Sequence, residues 1–486
     1  MIHLNRKMLL AGLVAGLLGV VGCGDDDGDT TTDDTEDMGG PGGDMGGPGE
    51  DMGPIDAGGV EPRACTIDAP TPPASAGCPD VGDRTEVVVD ADITTDTTWS
   101  CDNLYLLDDQ IYITNDATLT IEAGVVVHGG AGGDEGQNAL IVTTEGSIEA
   151  TGTSVDPIVF TSANPEGDAA PGDWGGVVLL GRAPINVSGG TNLIEGLDPS
   201  ESRGEYGGDD AAHDCGTLNY VRIEYAGFLF GTDNELNGLT LGGCGTDTDL
   251  DFIHVHAGKD DGIEFFGGTA GISHAVISQV GDDGLDWDEG WQGDVQFVVI
   301  QQDAAGDRGI EADNLGSDQD TTPRSSPTIW NLTIIGNSAD NDGLRLREGT
   351  GGMISNAIIF NYPDSTCSRV DNSSTIRVAN DGELVITDSI VGPCSTTFDF
   401  TADEGDTTTT FTGDWEALND LTSDAMLADP TNLSAPNFLP SEFSPAGRDY
   451  GAPGAGFDTN ADFAGALEPG CWDWTAGWTA YPAIAE

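Results

Sequence analysis

"KDDGIEFFGG" (259–268) and "GDDGLDWDEG" (281–290) superimpose on Gly262 and Gly284. The match extends along the chain. "NGLTL" (237–241), "DGIEF" (261–265), "DGLDW" (283–287), "RGIEA" (308–312) and "DGLRL" (342–346) each follow a longer β-rich run. Those runs are "LNYVRIEYAG" (218–227), "LDFIHVHAG" (250–258), "ISHAVISQVG" (272–281), "VQFVVIQQ" (295–302), "IWNLTIIGN" (329–337) and "ISNAIIFN" (354–361). Their starts are 32, 22, 23, 34 and 25 residues apart. A period in the low twenties of residues, stretched now and then by about ten, is what a solenoid gives when insertions leave as loops. Helix-period patterning is nearly absent.

Strand side chains alternate, so this register sorts residues onto faces. Leu239, Ile263, Leu285, Ile310 and Leu344, with Leu241, Phe265, Trp287, Ala312 and Leu346, point inward. Between them Thr240, Glu264, Asp286, Glu311 and Arg345 point outward, followed two residues on by Gly242, Phe266, Asp288, Asp313 and Arg347. The glycines are expected at positive φ in Asp-Gly turns, which makes Asp261, Asp283 and Asp342 turn residues.

The pattern resembles the right-handed parallel β-helix of the pectate-lyase-like superfamily. "GSIEATGTSVDPIVFTSA", "PGDWGGVVLLGRAPIN" (171–186), "IEGLDPSESRGEYGGDDAAHDCGTLNYVRIEYAG" and the closing "DWTAGWTAY" are similar to secreted or surface β-helix proteins of bacteria, an uncharacterised lipoprotein family. The expected fold is therefore all-β: a right-handed, single-stranded parallel β-helix over 63–400, with Trp-rich C-terminal coils and a cap over 401–486. Roughly 300 residues at about 24 per coil predict some twelve coils.

The 486-residue chain has 15 Lys and Arg against 85 Asp and Glu, a net charge of −70. Such a surface repels nucleic acid and attracts cations. Residues 1–22 read as a signal peptide: Arg6 and Lys7 precede "MLLAGLVAGLLGVVG", which ends at "VVGC". Cys23 is then the lipidated first residue of an exported outer-membrane lipoprotein, with cell-surface exposure as one expected placement. Residues 23–62, with "DMGGPGG", "DMGGPGE" and "DMGP", are an acidic Gly/Pro-rich tether too polar to bury a core, and are expected to be disordered. Eight cysteines remain, an even number that favours disulfides in an exported chain. Cys215–Cys244 and Cys367–Cys394 are the local pairs expected.

At the interstrand spacing of about 4.8 Å, Glu264, Asp286 and Glu311 form a ladder of like charges repelling by about 1 kcal/mol per pair in water. Two readings are open: a calcium site built from Glu264, Asp286, Asp288, Glu289, Glu311 and Asp313, or a solvated, salt-screened acidic face. Arg308, Arg345 and Arg347 are expected to compensate one end. His254 and His256 are outward residues of the preceding strand and read as surface side chains, with a shared metal or acid–base role as the alternative.

Function divides the same way. The favoured expectation is a tethered, non-catalytic lipoprotein that binds polysaccharide, cell surface or matrix, with Ca²⁺ stabilisation as one of the two readings of its acids. The alternative is a polysaccharide lyase or glycoside hydrolase acting in a groove along the helix. For it the resemblance implies Asp286, Asp288 and Glu311 around calcium and Arg308 or Arg345 as base. The acidic surface disfavours a pectin-like anionic substrate.

Overall fold

The computed structural model describes residues 62–485, apart from 131–137, 166, 232–233 and 338–340. The expected signal peptide, Cys23 and the tether up to residue 61 lie outside the described residues. From Thr85 onward the chain winds as the expected parallel β-helix. The two long sheets pair only in parallel, one of them with eleven strands in line from Thr85–Val89 to Leu384–Thr387 and the other with ten from Gln110–Ile113 to Cys394–Thr401. Registers agree with the sequence repeat: Thr240 pairs Glu264, Glu264 pairs Asp286, and Glu311 pairs Arg345. Ile263, Phe265, Leu285, Trp287, Ile310 and Leu344 line the interior.

The longer strands are bent. Tyr220, Phe252, His274, Phe297, Asn331 and Asn356 have φ between 46 and 60° and fold each strand into two faces. This corner resets the alternation, so Leu250 and Ile253 both point inward although three residues apart. Left-handed backbone is unfavourable for large side chains. Here stacking offsets the cost: Tyr220, Phe252, His274 and Phe297 pile up at centroid spacings of 4.2, 4.3 and 4.8 Å.

The repeated glycines correct the expectation made for them. Gly238, Gly262, Gly284, Gly309 and Gly343 are not among the positive-φ residues. They are small because the next coil presses on them. A Cβ at Gly284 would stand 2.5 Å from Ile300 Cγ2 and 2.6 Å from the Gly309 carbonyl, and one at Gly309 would meet Ile334 and the Gly343 carbonyl at 2.6 Å.

The C-terminal segment caps the end with one tryptophan and runs along the side with three others. Trp415 closes the end, edge-on to the Phe400–Phe411 stack (3.8 Å). Trp472, Trp474 and Trp478 instead lie along the side of the helix, on Phe252, His274 and Tyr220. With Phe438, Phe463 and Leu467 they bury the outward residues Val276, Val299 and Ile335. Cys215–Cys244 and Cys367–Cys394 form as expected; Cys78–Cys101 and Cys65–Cys471 complete four disulfides.

Candidate functional site: an acidic ladder on the outer face

The outward row of the ten-stranded sheet changes character along its length. It begins with Tyr112, Ile141 and Val178, which are buried with Ile194, Leu197 and Tyr206 of the 182–206 segment. It continues through Thr240, Glu264, Asp286 and Glu311, and ends in Arg345, Arg369 and Asp399. Leu285 pairs Ile310, which sets Asp286 beside Glu311.

The acids are not the solvated face of the second reading. Glu264 and Glu311 are each only 7% exposed. Local sequence gave no sign of this, because the burial comes from neighbouring loops. Phe266 tilts against Tyr206 at 6.2 Å, and Asn186 of the same segment donates to Asn314 Oδ1 at 2.9 Å, joining it to the 313–328 insertion.

A second acidic row runs along the corner, through residues read from sequence as turn formers. The Asp261 N–H donates to Asn237 Oδ1 at 3.2 Å, and the Asp283 N–H donates to Asp261 Oδ1 at 2.8 Å. Both carboxylates are buried, and together with the outward row they make two three-carboxylate clusters sharing Asp286. One joins Asp261, Glu264 and Asp286, the other Asp283, Asp286 and Glu311, with the oxygen atoms of each cluster within 4.8 Å of one another. The repeated Asp-Asp dipeptide was the signal, hidden by its reading as turn chemistry.

The two clusters differ in compensation. Arg308 lies 2.9 Å from Glu311 Oε1 and 3.4 Å from Asp283 Oδ2, and Arg347 pairs with Glu311 and with Asp313. Glu264 is raised well above the usual carboxylate range by burial, and Glu195, Asp286, Asp261 and Asp260 all push it further the same way. Burial, then neighbouring acids, does the same to Asp261 and Asp286. Asp260 is pushed up to about 7 by burial and Asp282, and Asp313 to about 6 by burial despite Arg347. Asp283, 3% exposed, leaves Oδ1 without a hydrogen-bond partner, and so does the buried Thr240 hydroxyl beside Glu264. Buried carboxylate oxygens a few ångströms apart with lone pairs to spare suit a hard, oxygen-seeking divalent cation such as calcium.

The remaining expected residues sit elsewhere or are engaged. Glu289, at φ 53°, turns away from the ladder to accept from Tyr206 Oη and Asn192 Nδ2, both at 2.7 Å. Asp288 lies on the outer row beside Phe266 but in neither cluster. Arg345 is held by Asp371 at 2.8 Å. With Arg347 and Arg369 it lines a cavity of about 460 Å³ where the ladder turns basic. His254 and His256 are not surface residues: both are fully buried, because the C-terminal segment covers their face.

A β-helix whose outer sheet carries a carboxylate ladder defines the class. The chain belongs to the pectate-lyase-like β-helix domain family, whose model matches residues 91–479. No curated protein and no solved structure matches it. Family membership supports a carbohydrate-related role.

Proposed function

We propose that this protein is a surface-displayed lipoprotein, anchored through Cys23, whose β-helix binds glycans along a calcium-bearing outer face without turning them over. The observation that carries this is the Asp261–Glu264–Asp286 cluster, whose Glu264 is repelled by four acids with the Asn237 amide as its donor, and which shares a row with a buried hydroxyl lacking a partner. A bound divalent cation relieves that repulsion and leaves coordination positions for sugar hydroxyls or carboxylates. Four disulfides support an exported location.

Binding is favoured over lysis because the arginines along the row are occupied. Arg308 pairs with Asp283, Asp307 and Glu311, Arg345 with Asp371, Arg347 with Asp313, and Arg369 with Asp342. A lyase needs a base free to take a proton next to the cation. The test is calcium titration of the chelated protein by calorimetry, then a panel of neutral and acidic polysaccharides with and without chelator. Calcium-dependent retention with no new reducing ends and no absorbance at about 235 nm is expected. Absence of calcium heat, or turnover lost in Asp286→Ala or Arg345→Ala, overturns it.

A further inference from the structure

On a strand of the other long sheet, His254 and His256 are 0% exposed beneath residues 481–485. The Tyr481 ring lies 5.1 Å from His254 and 5.9 Å from His256. Among the described residues three hydrogen bonds join the tail to the β-helix, and Tyr481 and Ile484 pack against it. The Pro482 carbonyl is 3.0 Å from His256 Nε2, Tyr225 Oη donates to the Ala483 carbonyl at 2.8 Å, and the Ala485 N–H donates to the Ala169 carbonyl at 2.8 Å.

These bonds fix the tautomers. A carbonyl only accepts, so His256 Nε2 carries the proton and Nδ1 is the acceptor. Ser278 Oγ, 2.9 Å from that Nδ1, donates to it and accepts from His254 Nε2 at 3.1 Å. His254 Nδ1 is then a bare lone pair, and it has no hydrogen-bond partner. The network closes with both imidazoles neutral. A proton added at His254 Nδ1 is a buried donor with nothing to receive it, and one added at His256 Nδ1 takes away the acceptor of the Ser278 hydroxyl.

The charges around the pair offer little relief. Arg222 and Glu224, from the preceding coil, already pair with each other at 3.0 Å. Tyr225 and Tyr481 flank the rings as neutral phenols, and Ser278 from the following coil carries no charge. With both rings protonated, three cations would face one buried carboxylate. Burial, then the neighbouring imidazole and Arg222, holds His254 well below the ordinary histidine range. Burial brings His256 down to about 4, against the pull of the Pro482 carbonyl and with Arg222 adding to it.

We propose that His254, Ser278 and His256 form a proton-sensitive latch: neutral, they hold the tail Tyr481–Ala485 against the β-helix; protonated, they release it and uncover the polar patch of Arg222, Glu224 and the two imidazoles. Opening the tail removes part of the burial that depresses the rings and moves their titration up toward the ordinary 6.5. Closure is therefore strongest above that pH. It weakens as pH falls toward about 4, by about tenfold per pH unit for each imidazole that must protonate.

Hydrogen exchange of the full chain, read by mass spectrometry on peptides covering 479–485 and corrected for the intrinsic pH dependence, tests this. Protection is expected to fall at least about tenfold between pH 7 and pH 5. In the His254→Gln/His256→Gln variant, whose amides do not titrate, it is expected to stay level. Flat protection in the wild type, or an equal fall in the variant, overturns the latch. Should that variant fold poorly, a chain truncated after Ala480 gives a second reading by NMR of the histidine ring protons. There His256 is expected to titrate near 6.5, and a His256 still neutral at pH 5 without the tail overturns the proposal.

Discussion

The Asp283 N–H donates to Asp261 Oδ1 at 2.8 Å, so two aspartates of successive coils are hydrogen-bonded neighbours, both buried. One backbone donor does not neutralise the carboxylates that converge on this corner. The charge is left to protonation or to a cation, and this gives the molecule an unusual pH dependence. Asp260, Asp261, Glu264, Asp283, Asp286 and Asp313 all have raised pKa values, chiefly through burial. A carboxyl raised in the folded state contributes stability that is fully present below its unfolded pKa and is lost as pH rises through the folded value. For Asp313 that loss runs from the ordinary carboxylate value up to about pH 6, and for Asp260 up to about pH 7. Chelated protein is therefore expected to melt at least about 3 °C lower at pH 8 than at pH 5, and calcium to restore the difference at pH 8. Calorimetric melts with chelator and with calcium at both pH values check this.

Asp286 is shared by both carboxylate clusters, so its charge is repelled from two sides and needed by two sites. Asp286→Asn keeps the shape and removes the charge. Without metal at pH 8 it is expected to stabilise by about 1 kcal/mol, the scale of one relieved like-charge contact. Its calcium affinity is expected to fall at least about tenfold. Asp288→Asn, outside both clusters, is expected to leave calcium binding within about twofold of wild type. Calorimetric titration of both variants separates a site at Asp286 from diffuse counterion attraction.

The coil glycines make a sharper stability prediction than turn chemistry would. Gly284→Ala forces a methyl against Ile300 and the Gly309 carbonyl, backbone that the stacked coils hold in place. It is expected to cost about 2–3 kcal/mol. Gly454→Ala, with open space around the added methyl, is expected within about 0.5 kcal/mol of wild type. Denaturant melts of the two variants read the difference directly.

Much of this architecture was legible in the sequence, and the failures share a cause. The period, the inward Ile263, Phe265, Leu285 and Trp287, and the stacking of Glu264, Asp286 and Glu311 follow from local alternation, which the parallel register preserves. What local alternation does not reveal is which outer faces are covered. Consecutive apolar residues such as Val298, Val299 and Ile300 carried that information, because a strand apolar on both faces is buried on both. The same cover buries His254 and His256. The bend at Phe252 was hidden because an aromatic is a poor left-handed residue in isolation and becomes acceptable only in a stack of its equivalents.

The first described residues are tied to the C-terminal cover in two independent ways, and this predicts how the joint fails. Cys65 is bonded to Cys471. Beside it the buried Glu468 carboxylate accepts the N–H groups of Thr66 and Ile67 at 2.9–3.0 Å and pairs with Arg63 at 2.9 Å. Hydrogen bonds to a charged group contribute about 1.5–3 kcal/mol each, so the carboxylate should hold the segment after the disulfide is cut. Cys65→Ser/Cys471→Ser is expected to keep most of the amide protection of Thr66 and Ile67. Glu468→Gln weakens the same amides and removes the partner of Arg63, but the disulfide still tethers them. Only the combination is expected to release residues 62–67, lowering their protection by at least about a hundredfold while the β-helix keeps its circular dichroism. If the serine variant alone frees the segment, Glu468 contributes little and the disulfide is the joint.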